Sequence, residues 1–462
     1  MNRRAAPESR PVALTVAGSD SGGGAGIQAD LKTMAACGAF GTSAITSVTA
    51  QNTRGVEGTH LLPTTEIEAQ LDAVLDDFDV GAVKTGMLGT AEIVETVTAS
   101  ADRLPNLVVD PVMVAASGDR LLEPEAESAY EDLIGAATLV TPNADEAAVL
   151  TGIEPETEDE MRAVGEELRD RGATAALVKG GHVEFADDDR ADEVVDVLVT
   201  EGTVETFRHP RVETDATHGS GCTLSSAIAA HLARGEDLTT AVEAGVDLLA
   251  RAVRYPLDVG EGPGSVHHTV ASRDRAAREP TAERVSEVVE RFVDRDVSPL
   301  VPEVGMNVVG ATPYAERPDE TAAVEGRITR TLSGVRPNRG VRFGASSHVA
   351  RFLLASREFD AARRFAVNCR FDDDVAAALS DLNGEVVTVE RERASDSEAV
   401  ADSAGSVQRW LAETAFEEAD GSPVAVVDRG GVGREPLMKL LADDAATLAD
   451  RTLAVRDALD AE

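Results

Sequence analysis

A chain of 462 residues, 43% of them hydrophobic, is long enough for two cores or more and has the composition of a soluble globular protein. Asp and Glu number 83 against 43 Lys and Arg, a net charge of −40 that is spread along the chain and not gathered into a tail. That field disfavours nucleic acid as a partner, and no apolar run approaches the length of a membrane span. Cys37, Cys222 and Cys369 are too far apart for a disulfide framework or a zinc site.

The lysines are Lys32, Lys84, Lys179 and Lys439, so arginine supplies nearly all the positive charge. A carboxylate-rich, lysine-poor surface suits concentrated salt, which screens self-repulsion. A cytoplasmic protein of a halophile is the expectation. The opening "MNRRAAPESRP" has no apolar stretch behind its basic residues, so it reads as a disordered tail over 1–11 and not as a secretory signal.

In chain order, "VALTVAGSD" (12–20) predicts a strand entering a glycine loop and "GIQADLKTMAACG" (26–38) the helix after it. "NLVVDPVM" (106–113), "ATLVTPN" (137–143) and "TAALVKGGH" (174–182) predict further strands, each closing on Asp, Asn, Gly or Pro. Open α/β sheets place ligands at such strand ends. A two-helix run at 221–254 closes the unit. Residues 255–280 are rich in Gly, Pro and charge, which puts a linker at 269–281. A helix at 282–294 then opens a second, smaller α/β unit.

Four stretches of the first unit carry chemistry. "GSDSGGGAGIQADLKT" (18–33) brings backbone N–H groups close to a ligand, or is merely a tight strand-to-helix turn. "VTAQNTRGV" (48–56) ends a strand with Gln51 and Asn52, amides that read a heterocycle or form an ordinary polar turn. "TPNADE" (141–146) places Asn143 and Glu146 on one helical face, suited to Mg²⁺ through water or to a plain capping box. "THGSGC" (217–222) aims the N–H groups of Gly219, Ser220, Gly221 and Cys222 at the space before a helix, a preorganised hole for a phosphoryl group. A lone glycine turn with a small buried cysteine is the bland reading of the same residues.

Taken with "KTGML", "DPVMVAASGD" and "KGGH", these motifs stand in an order that resembles the ribokinase-like superfamily, in particular the hydroxymethylpyrimidine/phosphomethylpyrimidine kinases, over residues 12–268. The resemblance implies a doubly wound α/β fold and ATP-dependent phosphorylation of the pyrimidine's hydroxymethyl group and then of the monophosphate. By the same resemblance Gln51, Asp30, Gly18, Met87 and Val112 line the pyrimidine pocket. Asp110 and Glu146 would organise Mg²⁺, with Asn143, Lys179 and Ser220 at the ATP phosphates. Gly219 and Gly221 form the hole, and Cys222 takes the catalytic position where sugar kinases carry an aspartate. A thiol at a helix N-terminus is expected to have a lowered pKa and to serve as base. The resemblance also implies a homo-oligomer, a dimer. A pyridoxal-type kinase is the nearest rival.

In the second unit, "GRITRTLSGVRPNRGVRFGASSHVARFL" (326–353) sets Arg327, Arg330, Arg336, Arg339 and Arg342 around a Gly/Ser turn opening a helix. That is an anion site, or a set of surface pairs with carboxylates. "VVDRGGVGREP" (426–436) repeats the strand–glycine pattern with Asp428 and Arg429. With "VPEVGMNVVGATPYA" and "FGASSHVAR", these residues resemble an archaeal thiamine-phosphate synthase domain over 282–462. The implied reaction joins the pyrimidine diphosphate to thiazole phosphate and releases pyrophosphate. Arg327 and His348 would be catalytic, with Ser346, Ser347, Asp428 and Arg429 holding anions. The same domain type also resembles a thiamine-phosphate sensor without catalysis.

Overall fold

The computed structural model describes residues 7–113, 128–181, 183, 192–380, 382–390, 404–431 and 435–460, without the side chains of 404–406. Residues 1–6 of the expected tail, 114–119 of "DPVMVAASGD", His182, most of the acidic cluster at 184–191 and residues 432–434 lie outside them. Residues 7–11 carry no helix or strand. The chain divides into two compact units, Met1–Ser272 and Arg273–Glu462.

In the first unit, apolar β-branched runs make strands that are buried on both faces, which a sheet with helices on each side requires. β1 (Val12–Asp20) shows this, buried from Ala13 to Gly18. The elements run β1, α1 (Gly26–Ala36), β2 (Phe40–Asn52), β3 (Gly55–Leu61), α2 (Thr64–Leu75), β4 (Val80–Thr85), α3 (Ala91–Ala99), β5 (Leu107–Val109), α4 (Tyr130–Gly135), β6 (Leu139–Val140), α5 (Ala144–Thr151), α6 (Glu158–Asp170), β7 (Ala176–Val178), β8 (Glu193–Thr200), β9 (Thr203–Pro210), α7 (Ser220–Ala233) and α8 (Leu238–Arg254). They form a nine-stranded sheet in the order β3-β2-β1-β4-β5-β6-β7-β8-β9. The strands from β2 to β7 are parallel, and β3, β8 and β9 are antiparallel additions at the two edges. Leu14, Val16, Val83 and Val109 pack with residues of α2 to α6 on one face. Ala82, Val108 and Leu177 pack under α7 and α8 on the other.

α9 (Val270–Asp294) is one continuous helix. The linker expected at 269–281 is therefore helical. Its Ala, Arg and Glu residues are strong helix formers that outweigh Pro280, and the Thr281 hydroxyl donates to the Ala277 carbonyl at 2.8 Å beside that proline.

The second unit continues with β10 (Val308–Ala311), β11 (Thr321–Val324), β12 (Ile328–Thr331), β13 (Gly334–Pro337), β14 (Val341–Phe343), α10 (His348–Phe359), β15 (Phe365–Arg370), α11 (Asp373–Leu379), β16 (Val386–Val389), α12 (Ala404–Glu417), β17 (Ala425–Asp428), β18 (Leu437–Ala442) and α13 (Ala445–Leu459). A seven-stranded sheet runs β14-β11-β10-β15-β18-β17-β16, and β12 pairs with β13 alone. Apart from the parallel β16–β17 pair, all its neighbours are antiparallel. One face packs on α9, α11 and α13, the other on α10 and α12.

Candidate functional site

Two glycine turns meet at the strand ends of the first unit. Asp20 organises the one after β1: its Oδ1 accepts the Gly22 amide at 2.7 Å, and Oδ2 accepts those of Gly24 and Ala25 at 3.0 and 2.7 Å. His218 Nε2 donates to the same Oδ2 at 3.1 Å, which ties this turn to the one before α7. Burial works against the Asp20 carboxylate, but these donors hold its pKa below the ordinary value.

The turns touch backbone to backbone, and glycine is obligatory where they do. Gly219 has φ 83°, and a Cβ there would sit 1.9 Å from the Gly24 carbonyl oxygen. The Thr223 hydroxyl donates to the Gly219 carbonyl at 2.8 Å, and His268 Nδ1 donates to that hydroxyl at 2.8 Å. Burial, helped by Lys32 and His218, pushes the His268 imidazole down to about 4, so this ring is neutral at pH 7. With Gly219 as N-cap, the amides of Gly221 and Cys222 have no acceptor inside α7.

Three of the expected residues converge beside that open helix end. Asp110, 1% exposed, accepts Lys179 Nζ at 3.0 Å and the Thr141 hydroxyl at 3.2 Å on Oδ1, and the Ser225 hydroxyl at 3.3 Å on Oδ2. Lys179 Nζ also lies 3.7 Å from Glu146 Oε2. Gly221 faces the pair: a Cβ there would lie 3.4 Å from Asp110 Oδ2 and 3.5 Å from Lys179 Nζ. Asn143 and Glu146 do form the capping box of α5, with bonds of 2.9 and 2.8 Å. Burial pushes the Glu146 carboxyl up to about 7, Lys179 pulls it down, and Asp110 pushes it up again. Burial opposes the Lys179 charge, but Asp110 and Glu146 outweigh it and raise its pKa. One ammonium thus serves two buried carboxylates, and the excess negative charge is what a hydrated divalent cation relieves.

Cys222 is half-buried on the first turn of α7. The expected lowering of its pKa is reversed: burial pushes the thiol up to about 11, Asp30 and Asp110 add to this, and Lys84 and the Gly26 amide offset it only in part. Burial and the two neighbouring carboxylates outweigh the two groups that favour the thiolate.

Asp30 is enclosed by neighbouring side chains. It is fully buried, with Oδ1 accepting the Ser226 hydroxyl at 2.6 Å, Oδ2 accepting the Thr15 hydroxyl at 2.6 Å, and Lys84 Nζ 3.0 Å from both oxygens. The Lys84–Asp30 pair, which sequence reasoning missed, lies one turn beneath Cys222, because Ser226 is four residues on from it. Gln51 and Met87 are half-buried near the ends of β2 and β4, and Val112 follows Asp110. A Cβ on Gly18 would come within 3.4 Å of Met87 Sδ.

The second unit separates the residues expected to act together. Arg339 and Arg342 lie 3.8 and 3.2 Å from Glu325 as exposed surface pairs. Arg330 donates to the Val301 carbonyl at 2.7 Å, and Arg327 donates to that of Val304. Arg327 stands out with φ 71°, a conformation that costs a non-glycine residue about 1 kcal/mol or more. Five strand-to-strand reversals lie between β14 and β17, so Ser346 and Ser347, after β14, are at the opposite end of the sheet from Asp428 and Arg429, after β17. They do not form one anion site. Arg327 and His348 follow the ends of the antiparallel neighbours β11 and β14, again at opposite ends. His348 opens α10 on the surface, and Ser347 before it makes no capping bond through its side chain. Asp428 is buried and accepts the Gly430 amide at 3.0 Å, while Arg429 is exposed.

Residues 20–267 match the family model described as phosphomethylpyrimidine kinase, and residues 284–454 match that of thiamine-phosphate synthase ThiN. The hydroxymethylpyrimidine/phosphomethylpyrimidine kinase of Haemophilus influenzae is 45% identical over 263 residues, 56% of this chain and 97% of its own. The thiamine biosynthesis bifunctional protein ThiED of Geobacter sulfurreducens is 45% identical over 276 residues, 59% of this chain and 55% of its own. An ADP complex of Bacillus subtilis pyridoxal kinase superimposes with a TM-score of 0.52 at 34% identity, covering 57% of this chain and 99% of that one.

Proposed function

The chain belongs to the phosphomethylpyrimidine kinase family, joined in one polypeptide to a thiamine-phosphate synthase domain, and from that premise we propose how its residues perform the two reactions of thiamine biosynthesis. The convergence of two glycine turns and the Asp110–Lys179–Glu146 group on the open end of α7 carries the kinase reading. The amides of Gly221 and Cys222 and the ammonium of Lys179 hold the transferring phosphoryl group, where fixed donors need no reorganisation as charge develops. Asp110 and Glu146 would hold Mg²⁺, which would supply neutralisation of phosphate charge. Gln51 reads the edge of the pyrimidine, with Met87 and Gly18 against the ring.

Cys222 positions the acceptor hydroxyl as a neutral thiol. Phosphoryl transfer through a loose transition state asks little of a base, because the hydroxyl proton leaves late, once the oxygen is bonding to phosphorus. The pyrimidine diphosphate then serves the second unit, where the open helix start at His348 supports holding the leaving diphosphate, and Arg327, at the opposite strand end, does not share that site. The net charge of −40 supports a working environment of high salt. Purified protein supplied with hydroxymethylpyrimidine and MgATP tests the kinase half: mono- and then diphosphate are expected by anion-exchange chromatography. Phosphorylation of pyridoxal in preference to the pyrimidine would overturn it.

A further inference from the structure

Ser47 is 1% exposed, and its hydroxyl has no hydrogen-bond partner among the described residues. Buried hydroxyls are almost always satisfied, so an orphan of this kind asks for a missing partner. Its placement is equally specific. Between the pairs Ala17–Ile45 and Ser19–Val48, β2 carries one residue more than β1, a bulge at Thr46 and Ser47 opposite Gly18. Bulges re-aim side chains and gather beside active sites. The Thr46 hydroxyl donates to the Met87 carbonyl at 2.7 Å and fixes that loop. The Ser47 hydroxyl instead occupies the space beside Gly18: a Cβ on Gly18 would lie 2.7 Å from Ser47 Oγ and 3.4 Å from Met87 Sδ.

Along β2, residues 47 and 49 are buried, 48 and 50 are exposed and 51 is half-buried, so Ser47, Thr49 and Gln51 share one face. Thr49 donates to the Ser19 carbonyl at 2.8 Å and is 3.1 Å from Gln51 Oε1. The single Thr49 hydrogen goes to Ser19, so Gln51 keeps both its carbonyl oxygen and its Nε2 donors for a ligand. Four residues of strand set Ser47 and Gln51 about 13 Å apart along the backbone. A pyrimidine has two ring nitrogens. Gln51 can serve one of them together with the exocyclic amino group, and the other, once buried, needs its own donor.

We propose that Ser47 determines specificity in the kinase pocket by donating its hydroxyl hydrogen to the ring nitrogen that Gln51 does not read. This rests on the pyrimidine-kinase reading. It follows that the enzyme discriminates against substrates in which that nitrogen is a carbon, because the hydroxyl then stays buried and unpaired.

The experiment compares wild type and Ser47→Ala on hydroxymethylpyrimidine and on its two deaza analogues, each with one ring nitrogen replaced by CH. On the pyrimidine, Ser47→Ala is expected to raise KM about tenfold, with kcat and the KM for ATP unchanged. Wild type loses about the same factor on one deaza analogue, and Ser47→Ala treats that analogue and the pyrimidine alike. The melting temperature of the substrate-free variant is equal or higher, since the hydroxyl it loses had no partner. An unchanged KM, an equal loss by the variant on every substrate, or a lowered melting temperature with kcat falling as well would each overturn the assignment. A wild-type enzyme inactive on the pyrimidine would overturn the kinase reading itself, and this proposal with it.

Discussion

The protonation state of Cys222 yields the sharpest test of the kinase site. With the thiol pushed up to about 11, roughly one molecule in ten thousand holds a thiolate at pH 7, and preforming that thiolate costs about 5 kcal/mol. If the thiolate were the obligatory base, kcat/KM would rise tenfold per pH unit from neutrality to pH 10. A neutral, positioning thiol gives a flat profile over pH 8 to 10. The assay is kcat/KM for the first phosphorylation across pH 6 to 10 in wild type, Cys222→Ser and Cys222→Ala. Profiles flat over pH 8 to 10 are expected for all three, with Cys222→Ala slower by about ten- to a hundredfold from lost positioning and Cys222→Ser between the two. A tenfold-per-unit rise in wild type that disappears in Cys222→Ala would refute the neutral-thiol reasoning and restore the base.

Lys84→Met strands the Asp30 carboxylate where neither side chain has any exposure. It should destabilise the first unit by about 3–5 kcal/mol in urea unfolding, and Lys84→Met/Asp30→Asn should recover most of that loss. Although burial opposes its charge, Asp30 raises the Lys84 pKa, so its stabilising contribution is complete below the ordinary lysine value of 10.5 and declines as pH rises above it. Gly219→Ala drives a methyl group into the Gly24 carbonyl at φ 83°, and kinase activity should fall at least about a hundredfold. Thiamine phosphate formation from supplied pyrimidine diphosphate should be unaffected in that variant. Because Glu146 is pushed up to about 7, its carboxylate forms only as pH rises through that value. At limiting Mg²⁺ the kinase rate should climb across pH 6 to 8, and Glu146→Gln should abolish that limb and raise the Mg²⁺ requirement.

Local signals marked the candidate site but not its electrostatics. The glycine turns at 21–26 and 217–221 were legible because only glycine permits φ 83° at Gly219 and a backbone contact with Gly24. The α/β order and the position of Asn143 and Glu146 followed from strand-end residues and capping chemistry in the same way. What sequence does not encode locally is depth. Asp30 reads as a pocket carboxylate until Thr15, Lys84 and Ser226, contributed by three other elements, are seen to enclose it. Cys222 reads as an activated thiol because the helix end lies next to it in sequence, whereas Asp30 and Asp110 reach it only through the fold. The arginines of 327–342 look like one cluster in sequence, yet Arg339 and Arg342 turn to Glu325 while Arg327 and Arg330 turn to the backbone at 301–304. The glycine turns of the second unit look alike, and only strand direction reveals that they lie at opposite ends of the sheet. Helix propensity at 270–279 was masked by flanking Gly and Pro.

The central claim is that one polypeptide carries a pyrimidine through two phosphorylations to thiamine phosphate. The most direct measurement is a single incubation of the purified chain with hydroxymethylpyrimidine, MgATP and thiazole phosphate in high salt, followed by chromatographic detection of thiamine phosphate and pyrophosphate. Thiamine phosphate should form, dependent on ATP, with Gly219→Ala blocking the route from hydroxymethylpyrimidine but not from its diphosphate. Accumulation of pyrimidine diphosphate without thiamine phosphate, at any salt concentration, would contradict it.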